Sequence, residues 1–226
     1  MHRYFIQPQV NGATNTIFGY ELLMKHFENQ QWRPPRFFAD IPATVIADTL
    51  IRTTQKLALK IGTVSINLNR TQLLNPAIVD AVITAQDQLR PLRLTIELTE
   101  EPGDDDISLD QLMAQLNKLL VRGIELSLDD VGSGINQRKQ VEPLLPLASE
   151  LKFALQNLTI PLTDVRVQNQ VKTWHQLAIQ RHCRFILEGI ETAQEAQLVD
   201  DLGIALRQGY YYGRPHILKL APADPQ

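Results

Sequence analysis

Cysteine is almost absent: Cys183 is the only one in 226 residues. No intrachain disulfide can form, which fits a reducing compartment. The thiol heads the run Cys183-Arg184-Phe185-Ile186-Leu187 and reads as a buried structural group rather than a nucleophile. A basic excess is absent too. Lys and Arg total 22 against 25 Asp and Glu, a net charge of −3 with a pI near 6.0. Binding to DNA or RNA polymers calls for a basic face, so that class is disfavoured. A nucleotide ligand is not excluded, because bound divalent metals can supply positive charge. No segment reaches the ~18 uninterrupted apolar residues of a membrane helix. The first residues contain no apolar h-region, so no signal peptide is expected. Together these point to a cytoplasmic protein without a membrane partner. Low-complexity segments and repeated sequence are lacking as well.

What the chain does contain is an alternation of short apolar runs and longer amphipathic patterns. Strand candidates are Tyr4–Gln9, Ile17–Met24, Thr63–Leu68, Arg93–Leu98, Ile124–Leu128, Glu150–Leu155, Arg184–Leu187 and Leu206–Tyr211. Helical patterns cover Ala43–Lys60, Ala77–Gln88, Leu109–Arg122, Leu162–Arg181 and Ala193–Leu202. Asn75-Pro76 and Thr192 are suitable helix starts, and Gly123 and Gly203 suitable stops. This order suggests βα units around a parallel sheet. The fold class expected is α/β, a modified (βα)8 TIM-type barrel, with a doubly wound open sheet as the alternative. Only the Gly-containing turn Asn11–Thr16 joins the first two strands, so they read as an antiparallel hairpin at the N-terminus. One domain is expected over residues 1–220, with a frayed tail over 221–226. The aromatic stretch Trp32–Phe38 is read as a packed flank rather than a partner surface.

In a parallel barrel, functional side chains sit at the C-terminal ends of strands. Those ends carry Asn67, Glu97, Asp129-Asp130, Lys152, Glu188 and Gln208, with Glu100, Glu101 and Glu191 just beyond. Glu21 lies inside Phe18–Met24. A single carboxylate at a strand end is most often a helix cap or a solvated group. The conjunction is different, because polar groups in apolar strand contexts must be paired or metal-bound once buried. Oxygen-only donors suit a hard cation, Mg²⁺ or Mn²⁺. The five histidines (His2, His26, His175, His182, His216) fall outside these ends, which disfavours zinc. A two-metal site could drive in-line attack on phosphorus. Glu188 could then serve as general base, and Lys152 could orient the nucleophile or neutralise developing charge.

At these residues the sequence resembles the EAL-domain family, which hydrolyses cyclic di-GMP to linear pGpG. The name motif stands here as Glu21-Leu22-Leu23, followed by Met24-Lys25. The asparagine strand is Val64–Asn69, and the E-[IV]-T-E motif is Glu97-Leu98-Thr99-Glu100. The DDFGTGYSS loop is Asp129–Gln137, and the KxD strand is Lys152-Phe153-Ala154. The AEGVET segment is Leu187–Thr192, and the final QGY motif is Gln208–Pro215. The resemblance implies a modified barrel with one antiparallel strand. It implies that Glu21, Asn67, Glu97 and Asp129 ligate metal and that Asp130 ligates a second ion. By the same resemblance Lys152 and Glu188 handle the attacking water. Lys25, Glu191 and Gln208 contact or support the substrate, and Glu100 braces the loop that begins at Asp130.

The departures from the pattern bear on activity. The aspartate of KxD is Ala154. The loop reads Val131 and Ile135-Asn136-Gln137. Lys25 stands where the family has an arginine, which removes a bidentate phosphate clamp. Leu22 enlarges the alanine of the name motif, and the interval from Glu21 to Asn67 is short. A divergent stand-alone member, with no attached cyclase or sensor domain, is expected. Two readings stand open: a metal-dependent cyclic di-GMP phosphodiesterase, active at reduced rate, and a degenerate domain that acts as a cyclic di-GMP receptor or protein-interaction module. A different phosphodiester substrate is a third. Partners under these readings are cyclic di-GMP, with a homodimer or a regulatory protein left open.

Overall fold

The structure is a computed structural model and describes residues 1–36, 38–57, 61–99, 107–133 and 138–225. Its strands are β1 (His2–Asn11), β2 (Thr16–Glu28), β3 (Gln31–Arg33), β4 (Thr63–Asn69), β5 (Arg93–Thr99), β6 (Glu125–Leu128), β7 (Glu150–Ala154), β8 (Arg184–Glu188), β9 (Leu206–Gln208) and β10 (His216–Ile217). The helices are α1 (Ala43–Leu57), α2 (Arg70–Leu73), α3 (Pro76–Leu89), α4 (Leu109–Leu120), α5 (Arg138–Val141), α6 (Val165–Gln180) and α7 (Ala193–Asp201). Contacts divide the chain into two compact units. Unit 1 comprises Met1–Gln7, Gly19–Glu125 and Pro215–Gln226; unit 2 comprises Pro8–Phe18 and Leu126–Arg214.

In unit 1, β2, β4 and β5 run parallel, with Glu21 opposite Ser65 and Asn67 opposite Glu97. Strand residues alternate between two faces. Val64, Ile66, Leu68, Leu94, Ile96 and Leu98 are buried on one face. Ser65, Thr95 and Glu97 are equally buried on the other. An antiparallel strand with one solvated face would leave such polar residues in water. Here they are held inside, which marks that face for polar chemistry. α3 packs against α1 and β5. Its start is fixed by Asn75, whose side chain accepts the Ala77 N–H, and by Pro76 in the first turn, a position where the missing proline N–H costs nothing.

β1 and β2 pair as a hairpin, and the Phe27 N–H donates to the Met1 carbonyl. At the turn, the Asn11 side chain accepts from the N–H groups of Ala13 and Thr14. β2 runs four residues past its expected end, then turns back into β3 through Asn29 and Gln30, both at positive φ. Trp32 on β3 packs edge-on to Phe5 at 5.7 Å and against Phe27 at 5.1 Å.

The end of the chain is tied to β1 and β3. Arg3 donates two hydrogen bonds, of 2.8 and 2.7 Å, to the Asp224 carboxylate. The N–H groups of Leu220 and Ala221 donate to the same carboxylate, and Trp32 Nε1 donates to the Pro225 carbonyl. Asp224 is 5% exposed. A bidentate guanidinium–carboxylate pair is among the stronger charge-assisted contacts.

In unit 2, β6, β7, β8 and β9 run parallel, and the end of β1 pairs antiparallel with β9, Gln9 opposite Gln208. α6 packs on β7 and β8. It begins three residues later than the periodicity suggests, because Asp164 caps it by accepting the Arg166 N–H. α7 opens on a capping box between Thr192 and Glu195. β9 is shorter than expected and stops before Gly209.

Candidate functional site

Unit 2 gathers four of the candidate residues. Ser127, Glu150 and Arg184 lie side by side on β6, β7 and β8, and Ala154 lies directly opposite Glu188. Period-2 alternation therefore puts Lys152, Ala154 and Glu188 on one face. Lys152 is fully buried, and its Nζ lies 2.5 Å from Glu188 Oε1 and 3.9 Å from Asp129 Oδ1. A lysine is almost never fully buried unless paired. Removing one partner of such a pair costs about 3–5 kcal/mol, so the ammonium and the carboxylates hold one another in place.

Asp129 and Asp130 follow β6 directly. Asp130 has φ of 51°, a left-handed conformation that non-glycine residues adopt at a cost. The surroundings enforce it. The Val131 N–H donates to the Lys152 carbonyl at 3.0 Å. Ser133 Oγ donates to the Asp130 carbonyl at 2.8 Å, and Asn157 Nδ2 donates to Ser133 Oγ at 3.2 Å. Gly132, at φ +87°, presses on Trp174; a Cβ there would lie 2.6 Å from Trp174 Nε1. Ser133, Asn157 and Trp174 are supports that sequence reasoning did not identify. Trp174 gave a signal as the one large aromatic on an amphipathic helix; Asn157 gave none.

The resulting cluster can hold a cation. Asp129, Asp130 and Glu188 each offer a carboxylate oxygen, and these atoms lie within 4.8 Å of one another. Oxygen donors at this spacing suit a hard divalent ion. The Lys152 ammonium neutralises part of the charge of this cluster.

Unit 1 brings together a second set. Asn67 Nδ2 donates to Glu21 Oε1 at 2.8 Å, and Asn67 sits opposite Glu97. Glu21 is 7% exposed and Glu97 is fully buried. Lys25 lies elsewhere: its Nζ sits 4.3 Å over the Phe5 ring, and burial pushes its pKa down. The ammonium is engaged by an aromatic face. Gln208 is buried at the end of β9, and Glu191 is exposed beyond β8. Glu100 and the loop positions Ile135, Asn136 and Gln137 lie outside the described residues. Cys183 is half-buried, not fully buried, and its thiol donates to the Ala148 carbonyl at 3.2 Å. Desolvation pushes its pKa up, which suits an inert thiol.

The strand and helix order, the reversed first strand and the polar strand ends define an α/β protein of the modified (βα)8 barrel class. Solved structures share this fold. The PaMucR phosphodiesterase in complex with c-di-GMP has a TM-score of 0.77 at 24% identity, covering 96% of this chain and 97% of that one. Klebsiella pneumoniae BlrP1 with manganese and cyclic di-GMP also has a TM-score of 0.77 at 24% identity, covering 96% of this chain and 56% of that one. A family model for the EAL domain matches residues 3–215, and the chain belongs to that family. Among curated relatives, the probable cyclic di-GMP phosphodiesterase PdeG of Escherichia coli K12 is 26% identical over 234 residues. The uncharacterized protein sll1895 of Synechocystis is 30% identical over 156 residues. The matches cover 93% and 67% of this chain but only 44% and 22% of those two proteins. Among the described residues no helix is long and apolar enough to cross a membrane.

Proposed function

We propose that this chain is a cytoplasmic, metal-dependent phosphodiesterase that opens cyclic di-GMP to pGpG at a reduced rate. The observation that carries the reading is the buried Lys152–Glu188 pair beside Asp129 and Asp130. Glu188 takes the proton from the attacking water as the water oxygen bonds to phosphorus. The P–O3′ bond breaks, and the leaving oxygen acquires a proton. Lys152 holds the Glu188 carboxylate in place and offsets charge that builds on the phosphoryl group. Within unit 1, Glu21, Asn67 and Glu97 are proposed ligands of Mg²⁺ or Mn²⁺, and so, within unit 2, are Asp129 and Asp130. Bound ions would acidify water and neutralise phosphoryl charge. Glu191 and Gln208 support the substrate.

Purified protein with Mn²⁺ and cyclic di-GMP should release pGpG, read by chromatography. Glu188→Gln should lower that rate by about a hundredfold or more while leaving binding within a few-fold. Unchanged turnover in the variant would sink the general-base assignment. The second reading, a cyclic di-GMP receptor, is favoured by Ala154 opposite Glu188 and by Lys25 engaged on Phe5. It predicts binding with no product.

A further inference from the structure

Two consecutive donors at the end of β4 are buried and unmatched. Asn69 closes the strand and is 1% exposed. Its Oδ1 accepts the Gln72 N–H at 2.7 Å, and Gln72 Oε1 accepts the Asn69 N–H at 3.1 Å. This reciprocal cap fixes which end of the Asn69 amide is oxygen, so the other end is the donor Nδ2. Gln72 is held in turn, its Nε2 donating to the Phe38 carbonyl at 3.0 Å. Among the described residues, Asn69 Nδ2 and Arg70 Nε meet no acceptor, although both atoms are buried. A buried donor without a partner has lost its hydration and gained nothing. Arg3, Arg184 and Arg207 show the usual pattern, each giving its Nε proton to a carboxylate or a carbonyl. The helix cap accounts for Asn69 Oδ1; it leaves Asn69 Nδ2 and Arg70 Nε without a use.

Their place in unit 1 supplies one. Side chains alternate along a strand, so Ser65, Asn67 and Asn69 lie on one face of β4. Asn67 donates to Glu21 and stands opposite Glu97. Asn69 stands opposite Thr99, two residues and about 7 Å further toward the strand end. Both groups can only donate: the Asn69 oxygen is committed to the cap, and a guanidinium has no acceptor. A base edge presents donors as well as acceptors, whereas a phosphodiester presents acceptor oxygens and a negative charge. We infer that Asn69 and Arg70 bind a phosphate of the dinucleotide and are substrate-recognition residues of the unit 1 site. The inference rests on the proposed cyclic di-GMP reading.

The test uses the full chain in Ca²⁺, with cyclic di-GMP and an analogue whose two phosphodiesters are uncharged methylphosphonates. Calorimetry reads affinity, and chromatography checks that the ligand stays intact. Asn69→Ser keeps a side-chain acceptor for the Gln72 N–H and so keeps the cap, but removes the donor. It should melt close to wild type and bind cyclic di-GMP roughly tenfold more weakly. Arg70→Gln should weaken cyclic di-GMP by about tenfold or more, because the lost contact is charge-assisted. In each variant the analogue should bind within about threefold of its wild-type affinity, since the phosphate charge is what the pair reads. Unchanged cyclic di-GMP affinity in both variants would overturn the inference. So would an equal loss for the two ligands, which would assign the pair to a part of the nucleotide other than its phosphates. If wild-type protein binds neither ligand, the cyclic di-GMP reading itself fails.

Discussion

Ala154 offers a direct way to weigh charge against metal in unit 2. Ala154 is 3% exposed and sits directly across from Glu188, which is 7% exposed, on the face that also carries Lys152. Adjacent strands lie about 4.8 Å apart, so Ala154→Asp places a second carboxylate about 5 Å from the first. Two like charges at that distance repel by about 3 kcal/mol at an effective dielectric near 20. The Lys152 ammonium offsets part of this, leaving an expected loss of about 1–3 kcal/mol in metal-free protein. For a chain of this size that lowers Tm by roughly 2–10 °C. A divalent ion reverses the sign, since the added carboxylate becomes a donor. Metal at a hundredfold excess over its Kd returns about 2.7 kcal/mol and should close the gap. Thermal unfolding of wild type, Ala154→Asp and the uncharged Ala154→Asn, each with EDTA and with Mn²⁺, reads these terms separately. Turnover of cyclic di-GMP should rise about a hundredfold in Ala154→Asp with Mn²⁺. If the aspartate and asparagine variants melt together in EDTA, the new carboxylate is not beside Glu188 and the electrostatic reasoning is refuted.

Two further outcomes follow from the same structure. Gly132→Ala forces a Cβ against Trp174 at a positive φ, so it should cost roughly 1–3 kcal/mol in denaturant unfolding and weaken Mn²⁺ binding through the Asp130 turn. Arg3 holds the Asp224 carboxyl well below the usual carboxylate range, with two backbone N–H groups adding to the effect. A depressed folded pKa gives stability that is present above the unfolded value near 3.9 and lost as pH falls toward the folded one. Asp224→Asn should therefore be less stable than wild type at pH 7, with the difference shrinking below about pH 4 in acid-unfolding curves. A difference that stays constant to pH 2 would show that the charge is not the source.

The eight principal strands were legible because their chemistry alternates: Val64-Ser65-Ile66-Asn67 and Leu94-Thr95-Ile96-Glu97 announce both the period and the polar face. Helices were legible from caps such as Asn75 and Thr192. β3 was not, because its turn uses Asn29 and Gln30 at positive φ with no glycine to flag it. The residue types of the site were also readable, since buried acids at strand ends are costly without a use. Pairings between distant residues were not. Nothing near Arg3 points to Asp224, 221 residues away, and nothing near Lys25 points to Phe5. Burial of Lys152 follows from its strand, but its 2.5 Å contact with Glu188 depends on the β7–β8 register.

The Arg3–Asp224 clasp has a meaning in time as well as in space. The cost of closing a loop grows only logarithmically with its length, so a contact between residues 3 and 224 is affordable once the rest is ordered. It cannot start the process, because it joins nearly the whole length of the chain. During synthesis it must wait until residue 224 has left the ribosome, when the strands before it have already emerged. The clasp is a seal rather than a seed: it secures a finished fold and has no part in choosing it.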